Sequence, residues 1–321
     1  MDLTHIAPEE ALLKIKEGAL LIHTLPAEHF GKIHLPGATN VCVYQNTFLD
    51  DMKASGADKS RVIILYGSSR YSLDAVKAAE KLHRDGYRQI FVLEGGIVDW
   101  QEAGFPVEGD TAVSDISPGT QLPSLDGYYQ LDTGISRVGW SGRNQNSKHF
   151  GTLLLKNGHL IVRGRSLTGE LVVDMDTMEN INLTGDELQP VLIAHLKSDD
   201  FFFTRLFPTT TFVIDQGEIA DIPYMTCANS TLKGSLNLRG ITKDLDFPAT
   251  ITPREDGILG LEAHFDLDRT HWNIIYGSSR FFEHLGMHAV FDQISIELRL
   301  ILKRSDIKAD SATRNRPKGQ N

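Results

Sequence analysis

The sequence predicts two successive domains: an α/β domain whose parallel sheet is flanked by helices, and then an antiparallel β-barrel. Three observations lead to this fold class. The chain has 321 residues, enough for two ordinary domains. Up to about residue 110, short apolar runs alternate with helix-like stretches, which is typical of a parallel sheet. Beyond residue 125, apolar residues recur at every second position, which is typical of antiparallel strands with one buried face.

The charge balance narrows the choice of partners. The chain carries 42 acidic and 32 basic side chains, a formal net charge of −10, which disfavours nucleic acid and anionic membrane surfaces as partners. No window reaches the roughly 18 apolar residues of a spanning helix, and acidic residues interrupt the first twenty positions where a signal peptide needs an apolar core. We therefore expect a cytoplasmic protein that is not transmembrane. Its two cysteines, Cys42 and Cys227, are too few for a disulfide framework.

The first segment reads as strands separated by helices. Pro8 with two following acids starts a helix that ends at Gly18, and an apolar stripe predicts another helix that ends at Gly86. The predicted strands are Leu20–His23, Asn40–Val43, Arg61–Tyr66 and Gln89–Leu93. Strands in this alternation belong to one parallel sheet covered on both faces.

The turn after the strand Arg61–Tyr66 is the first candidate site. Its residues are Gly67, Ser68, Ser69, Arg70, Tyr71 and Ser72. Backbone N–H groups at a helix N-terminus, together with Arg70, would suit a phosphate, sulfate or carboxylate. The alternative, which we favour, is that the serines cap the following helix. No base is visible beside these serines and no cysteine lies in the turn, so we predict no catalytic residue there.

Four motifs in this segment carry a family resemblance. They are Ile33–Ala38, Ile63–Ser72, Leu93–Trp100 and Ala103–Val107. In this order and spacing they resemble a rhodanese-like domain, over residues 1–110. The resemblance implies an active cysteine where this chain has Gly67, so it implies a degenerate, inactive sulfurtransferase that serves docking or regulation, with a protein partner as one option. The alternative is a sulfurtransferase using a displaced cysteine, or a phosphoryl-handling enzyme, at the same loop.

Two stretches lack hydrophobic periodicity. Residues 111–124 contain Pro118, Gly119 and Pro123 and are predicted to be a linker between the domains. Residues 304–321 are polar, with too little apolar content to fold, and are predicted to be a disordered tail.

The second segment, residues 125–303, is rich in predicted strands. Asn157-Gly158 lies between the apolar runs Leu153–Lys156 and His159–Arg163, which predicts a tight hairpin turn. In all, about eight or nine strands are expected, and closing them into a barrel removes exposed sheet edges. A barrel of this size either fills with its own side chains or encloses one small apolar ligand.

Several motifs spread over this segment resemble the YceI-like family of lipocalin-like barrels. They are Trp140–Gly142, His149–Thr152, His195–Phe202, Phe207–Phe212, Leu238–Lys243 and Asp268–Trp272. The resemblance implies a hydrophobic tunnel that holds a polyisoprenoid or another lipid, with polar groups near its mouth for a head group.

The candidate ligand-binding residues are mostly aromatic. They are Trp140, His149, His195, Phe201, Phe202, Trp272, Tyr276, Phe281 and Phe282. For each of the tryptophan, tyrosine and phenylalanine candidates, barrel core is the favoured alternative, since a barrel needs packing whatever it binds. Arg239 and Lys243 are the head-group candidates. We expect no metal site and no cofactor other than a bound isoprenoid or similar lipid. The function expected from the sequence is therefore non-enzymatic binding of an apolar molecule.

Overall fold

A computed structural model describes residues 3–109, 124–220, 225–254 and 257–305 of the chain. The chain divides into two compact units, Met1–Gln121 and Leu122–Asn321. The predicted linker, except Ser124, and the predicted tail beyond Ser305 lie outside the described residues.

The N-terminal unit is an α/β domain with a five-stranded sheet in the order β1-β5-β4-β2-β3. All of its strand pairs are parallel, as predicted. The strands are β1 (Thr4–Ile6), β2 (Leu20–His23), β3 (Thr39–Asn40), β4 (Ile63–Tyr66) and β5 (Ile90–Leu93). The helices are α1 (Pro8–Lys16), α2 (Ala27–Lys32), α3 (Phe48–Ala54), α4 (Asp74–Arg84) and α5 (Gly96–Glu102).

Each face of this sheet has its own core, because side chains alternate along a strand. In β4, Ile63 and Leu65 join one hydrophobic cluster, whereas Ile64 and Tyr66 join the other. This double burial explains why the strands read as continuous apolar runs. The carboxyl ends of β2 and β4 lie side by side in parallel register, with His23 opposite Tyr66. The turn that follows β4 therefore lies beside the residue that follows β2, Thr24.

The C-terminal unit is a closed antiparallel barrel. Its elements are β6 (Gly127–Leu131), β7 (Arg137–Arg143), β8 (Lys148–Arg163), β9 (Ser166–Asn180), α6 (Leu188–Lys197), β10 (Thr209–Ile219), β11 (Ser230–Leu238), β12 (Ile241–Arg254), β13 (Ile258–Asp268) and β14 (Gln293–Ser305). Strands β8 to β14 pair in order, and both β6 and β7 pair with β8 on one side and β14 on the other. The two short strands thus share one of eight positions around the closed barrel.

The predicted hairpin at Asn157-Gly158 is wrong. Both residues lie inside the continuous strand β8, opposite Val172 and Leu171 of β9, with a register shift between Leu155 and Asn157. Neither residue has the positive φ that a tight hairpin turn requires. Gly158 instead permits close packing, because a Cβ there would lie 3.0 Å from the carbonyl oxygen of Glu170.

The barrel is solid at one end and hollow at the other. Its core includes Leu160, Leu167, Leu232 and Leu302, all fully buried. None of these four borders the cavity described below, whereas residues further along the same strands do. One example is β11, in which Leu232 lies in the packed end and Leu236 borders the cavity. The helix α6 and the segment between β13 and β14 contribute to the walls of the hollow end.

Candidate functional site

The hollow end of the barrel encloses a cavity of about 360 Å³. This volume lies within the range of small-molecule sites in proteins. The inward faces of β7 to β14 line it with leucine, valine, methionine, isoleucine and phenylalanine side chains. Because these walls are mainly apolar, with the Thr210 hydroxyl of β10 among the few polar groups, they favour a guest with an apolar body.

The mouth of the cavity is identified by its exposed lining residues. Met287, 81% exposed, and His288 line the cavity and also face solvent. Arg143, Asn144 and His149 come from the end of β7 and the start of β8 and line the same site. The β7 side of the mouth is joined to the segment before β14 by two contacts. They are the β-bridge between Asn144 and Val290 and the hydrogen bond from the Phe291 N–H to the Arg143 carbonyl, 2.9 Å. Several polar groups therefore lie at the open end, whereas most of the remaining lining is apolar.

Six of the nine predicted ligand-binding residues line this cavity. They are Trp140, His149, His195, Phe201, Phe202 and Tyr276. Three of them form a ring cluster, with centroid distances of 5.0 Å between His195 and Phe201, 4.8 Å between His195 and Tyr276, and 5.2 Å between Phe201 and Tyr276. The Nε2 atom of His195 lies 3.0 Å from a carboxylate oxygen of Asp200. This bond fixes the ring at the wall of the cavity.

The other predicted residues lie elsewhere. Trp272 is buried behind the wall and donates its indole N–H to the Leu236 carbonyl, 3.1 Å. Phe281 and Phe282 are 53% and 45% exposed and do not line the cavity. The two head-group candidates do not line it either. Arg239 donates to the carbonyls of Asn273 and Asp199, at 2.9 and 2.6 Å, and Lys243 is exposed on β12.

Arg269 is a wall residue that the sequence did not reveal. It is 1% exposed, and its guanidinium donates to the carbonyls of Ile274, Val290 and Phe291 at 2.6, 3.0 and 3.1 Å. Burial lowers the pKa of this guanidinium, and the nearby Asp292 opposes that effect. Since the carbonyls of residues 290 and 291 belong to the mouth, Arg269 holds the mouth in position. A sequence offers no local signal for such a distant set of partners.

Arg143 is a second missed residue, and its contacts leave one donor free. Its Nη2 lies 3.7 Å from Asp266, but its Nε is buried and has no hydrogen-bond partner among the described residues. A buried N–H without a partner costs free energy, which a polar atom of a guest at the mouth would recover.

The turn after β4 is filled by the protein's own carboxylate. Asp74, the first residue of α4, is 3% exposed and accepts hydrogen bonds from Thr24, 2.5 Å, and from Ser72. A Cβ at Gly67 would overlap Oδ2 of Asp74 and lie 2.5 Å from its Cγ. The space that a side chain at residue 67 would occupy is therefore taken by Asp74.

The serines of this turn do not cap the helix, which corrects the favoured interpretation. The N-cap residue of α4 is Leu73, without a side-chain hydrogen bond. Ser72 donates to Asp74, and Ser69 accepts from the Tyr71 N–H, 3.3 Å. The carbonyls of Gly67 and Ser68 accept the N–H groups of Ile97 and Val98, at 3.0 and 3.2 Å, so the turn is fixed to α5.

Arg70, the residue proposed to meet an anion, already has an anionic partner. Its guanidinium lies 2.9 and 3.0 Å from the two carboxylate oxygens of Asp99. This partner raises the pKa of Arg70. An external anion at the turn would have to compete with Asp99 for the same donor.

A buried histidine pair lies at the carboxyl end of β2. His23 is fully buried, with Nε2 3.2 Å from Nδ1 of His29 and Nδ1 3.1 Å from the Asn40 amide nitrogen. Burial, with smaller effects of His29 and His34, lowers the pKa of His23 from 6.5 to about 3. The Asn40 amide donates to Nδ1, so the neutral ring carries its proton on Nε2 and donates it to His29. Cys42 is buried and Cys227 is exposed in the other unit, and neither forms a disulfide.

Two further observations concern the described residues. None of their helices is both long and apolar enough to cross a bilayer. In the same part of the chain, no three histidine, cysteine, aspartate or glutamate side chains are grouped to hold a metal ion.

The fold and the site together define a class of protein. It has a small parallel α/β unit followed by a barrel with an apolar cavity and a polar mouth. The family model of the YceI-like domain matches residues 129–302, and that of the rhodanese-like domain matches residues 7–103. The chain therefore belongs to the YceI-like domain family and carries a rhodanese-like domain ahead of it. No curated protein matches the chain.

Solved structures resemble one unit or the other. BcnA of Burkholderia cenocepacia is 17% identical, covering 53% of this chain and 98% of its own, with a TM-score of 0.40. A polyisoprenoid binding domain from Saccharophagus degradans is 12% identical, covering 55% and 98%, with a TM-score of 0.38. A rhodanese-like domain from Anabaena sp is 19% identical, covering 39% and 93%, with a TM-score of 0.30.

Proposed function

We propose that the barrel binds an isoprenoid or a similar long apolar molecule without converting it, and that the rhodanese-like unit transfers no sulfur and serves docking or regulation. The observation that carries the proposal is the cavity of about 360 Å³, whose walls are mainly apolar and whose mouth bears the polar residues Arg143, Asn144 and His288. A molecule with a long apolar body and a small polar end matches this distribution. The closed, packed end of the barrel limits how deeply the body can enter.

The polar end of the guest belongs at the mouth, beside Arg143, Asn144 and His288. The unpartnered Nε of Arg143 supports this assignment, because it is a buried donor that needs an acceptor. An oxygen-bearing head group supplies one. This site replaces Arg239 and Lys243 as the head-group candidates, since neither of those residues lines the cavity.

The filling of the turn after β4 supports the non-catalytic part of the proposal. A nucleophile at residue 67 would need the space that the Asp74 carboxylate occupies. A second anion, such as a phosphate or a persulfide, would also lie against that carboxylate and be repelled. Arg70 is paired with Asp99, so the turn has no spare cation to offset the repulsion.

Ligand binding is tested by extracting gently purified protein with organic solvent and identifying the extract by mass spectrometry, with uptake of a fluorescent prenyl probe as a second readout. The variant Val173→Trp places a large side chain in the cavity and is expected to abolish uptake, because Val173 lines the cavity. Val172→Trp is the matched control, since Val172 lies on the same strand and points to the opposite face. Absence of both extract and uptake in the wild-type protein would refute the binding proposal.

The absence of sulfur transfer is tested separately by measuring thiocyanate formation from thiosulfate and cyanide. We expect no activity above the uncatalysed rate. Activity that persists in Cys42→Ala and Cys227→Ala variants would show that the turn works without a thiol and would contradict the proposal for this unit. Activity lost in one variant would instead identify a displaced nucleophile.

A further inference from the structure

Exposed apolar side chains surround the mouth of the cavity. We call the following six the apolar collar: Phe150, Leu188, Val191, Phe281, Phe282 and Met287. They belong to the start of β8, to α6 and to the segment between β13 and β14. Single exposed apolar residues are ordinary, but several grouped around one opening mark an interaction surface.

Each part of the collar adjoins the cavity. On α6, Val191 precedes Leu192, which lines the cavity. On β8, Phe150 follows the mouth residue His149, so its side chain lies on the outer face of the barrel beside the mouth. The hydrogen bond from the Gln189 side chain to the Asn180 carbonyl, 2.6 Å, joins α6 to the end of β9. That end in turn meets β8, where the Ile181 N–H donates to the Phe150 carbonyl, 2.9 Å. The contact between His195 and Tyr276 joins α6 to the third part of the collar.

The third part of the collar is a loop that the structure holds outward. The Val290 N–H donates to the Gly277 carbonyl, 2.8 Å, and so closes residues 278–289 into a loop. At its base, Arg280 pairs with Asp268 and with Asp292, the latter at 2.7 Å. Beyond this anchor the two phenylalanines of the loop are exposed, and Met287 is 81% exposed. Two adjacent aromatic rings in water, fixed beside an apolar cavity, suit contact with another apolar phase.

We propose that the apolar collar docks on the surface of a lipid bilayer, so that the guest passes between bilayer and cavity without crossing water. The inference rests on the proposed function. A long apolar molecule is scarcely soluble, because its transfer into water becomes less favourable with every methylene. A carrier whose mouth touches the bilayer avoids that step. The net charge of −10 points to an uncharged, zwitterionic surface, since an anionic one would repel the protein.

The experiment is flotation of the full chain with phosphatidylcholine vesicles, in parallel with transfer of a fluorescent prenyl probe from those vesicles. The test variant is Phe281→Ser with Phe282→Ser. The matched control is Tyr71→Ser with Leu73→Ser, which removes two apolar side chains, 77% and 61% exposed, from the N-terminal unit. We expect the test variant to lose at least tenfold in vesicle-bound fraction and in transfer rate, and the control to behave as the wild type.

A solution measurement separates this inference from the proposed function. Affinity for a short, water-soluble prenol should be the same in wild type and test variant, because neither phenylalanine lines the cavity. Prenol binding without vesicle binding by the wild type would overturn the inference alone. Flotation that is equal in test variant and control, or that appears only with anionic vesicles, would also overturn it. Absence of prenol binding by the wild-type protein would refute the proposed function itself.

Discussion

Replacing Gly67 by alanine should destabilise the N-terminal unit through a single neighbour, Asp74. The added Cβ would overlap the Asp74 carboxylate, which is buried and hydrogen-bonded to Thr24 and Ser72. Gly67 does not have a positive φ, so alanine introduces no backbone strain there. The nearest obstacle is thus the carboxylate, which must leave its position.

The cost follows from the hydrogen bonds that Asp74 gives up. A hydrogen bond to a charged group contributes about 1.5 to 3 kcal/mol, and two of them are at stake. Replacing glycine by alanine restricts the unfolded chain and returns about 0.4 to 1 kcal/mol. We therefore expect Gly67→Ala to lower the free energy of unfolding by about 2 to 6 kcal/mol. In an Asp74→Ala background the overlap is absent, and the same change should lie within about 1 kcal/mol of zero.

Hydrogen exchange of β2 and β4, followed by mass spectrometry on the full chain, reports the free energy of unfolding of this unit alone. Gly31→Ala is the matched control, because Gly31 lies in α2 with no atom near its would-be Cβ and should be neutral or slightly stabilising. The reasoning is refuted if Gly67→Ala costs the same with and without the Asp74 side chain. Equal costs would mean that something other than the carboxylate requires glycine at this position.

Two further predictions concern the buried histidine and the two ends of the barrel. Because the pKa of His23 falls from 6.5 to about 3 on folding, the unfolded chain binds a proton below pH 6.5 and the folded chain does not. The contribution of His23 to stability is therefore fully present above pH 6.5 and is lost toward pH 3, with a loss of about 2 kcal/mol at pH 5. This part of the loss should vanish in His23→Gln, which hydrogen exchange of the N-terminal unit at pH 7 and pH 5 would measure. In the barrel, Leu232→Ala should lower the free energy of unfolding by about 4 kcal/mol and Leu236→Ala by about 2 kcal/mol, because the Leu236 side chain already borders the cavity. Urea unfolding measures both values. Equal costs would contradict the division of the barrel into a packed end and a hollow end.

Most strands of both units could be predicted from the sequence, because the spacing of apolar residues shows which faces of a strand are buried. The continuous apolar run in β4 reports burial on both faces, and the alternation in β14, which Ile301 interrupts, reports burial on one face. Shorter strands escaped this reasoning. β1 has only three residues, and in β6 the adjacent Tyr128 and Tyr129 break the alternation. Pairing identifies both strands, β1 with β5 and β6 with β8 and β14.

The two turn predictions failed because contacts in the folded protein outweigh the local sequence preference. Asn157-Gly158 has the composition of a hairpin turn, yet it lies within β8 because the register with β9 continues past it. Likewise, the serines after Gly67 have the composition of a helix cap, yet Ser72 is used by Asp74. For Asn157-Gly158 the deciding partner is the distant strand β9, and for Ser72 it is Asp74, which is near in sequence but buried against Thr24. Local propensity is a weak guide when a distant or buried group offers a better contact.

The position of the cavity cannot be predicted from the spacing of apolar residues. Leu232 and Leu236 are the same residue type on the same face of β11, and only the second borders the cavity. What distinguishes them is the opposing side chains, which fill the barrel at one end and leave it open at the other. Arg269 then holds the carbonyls of Val290 and Phe291, so the open end keeps its polar mouth. The space open to a guest therefore depends on where packing stops, a property of the assembled barrel that single strands do not contain.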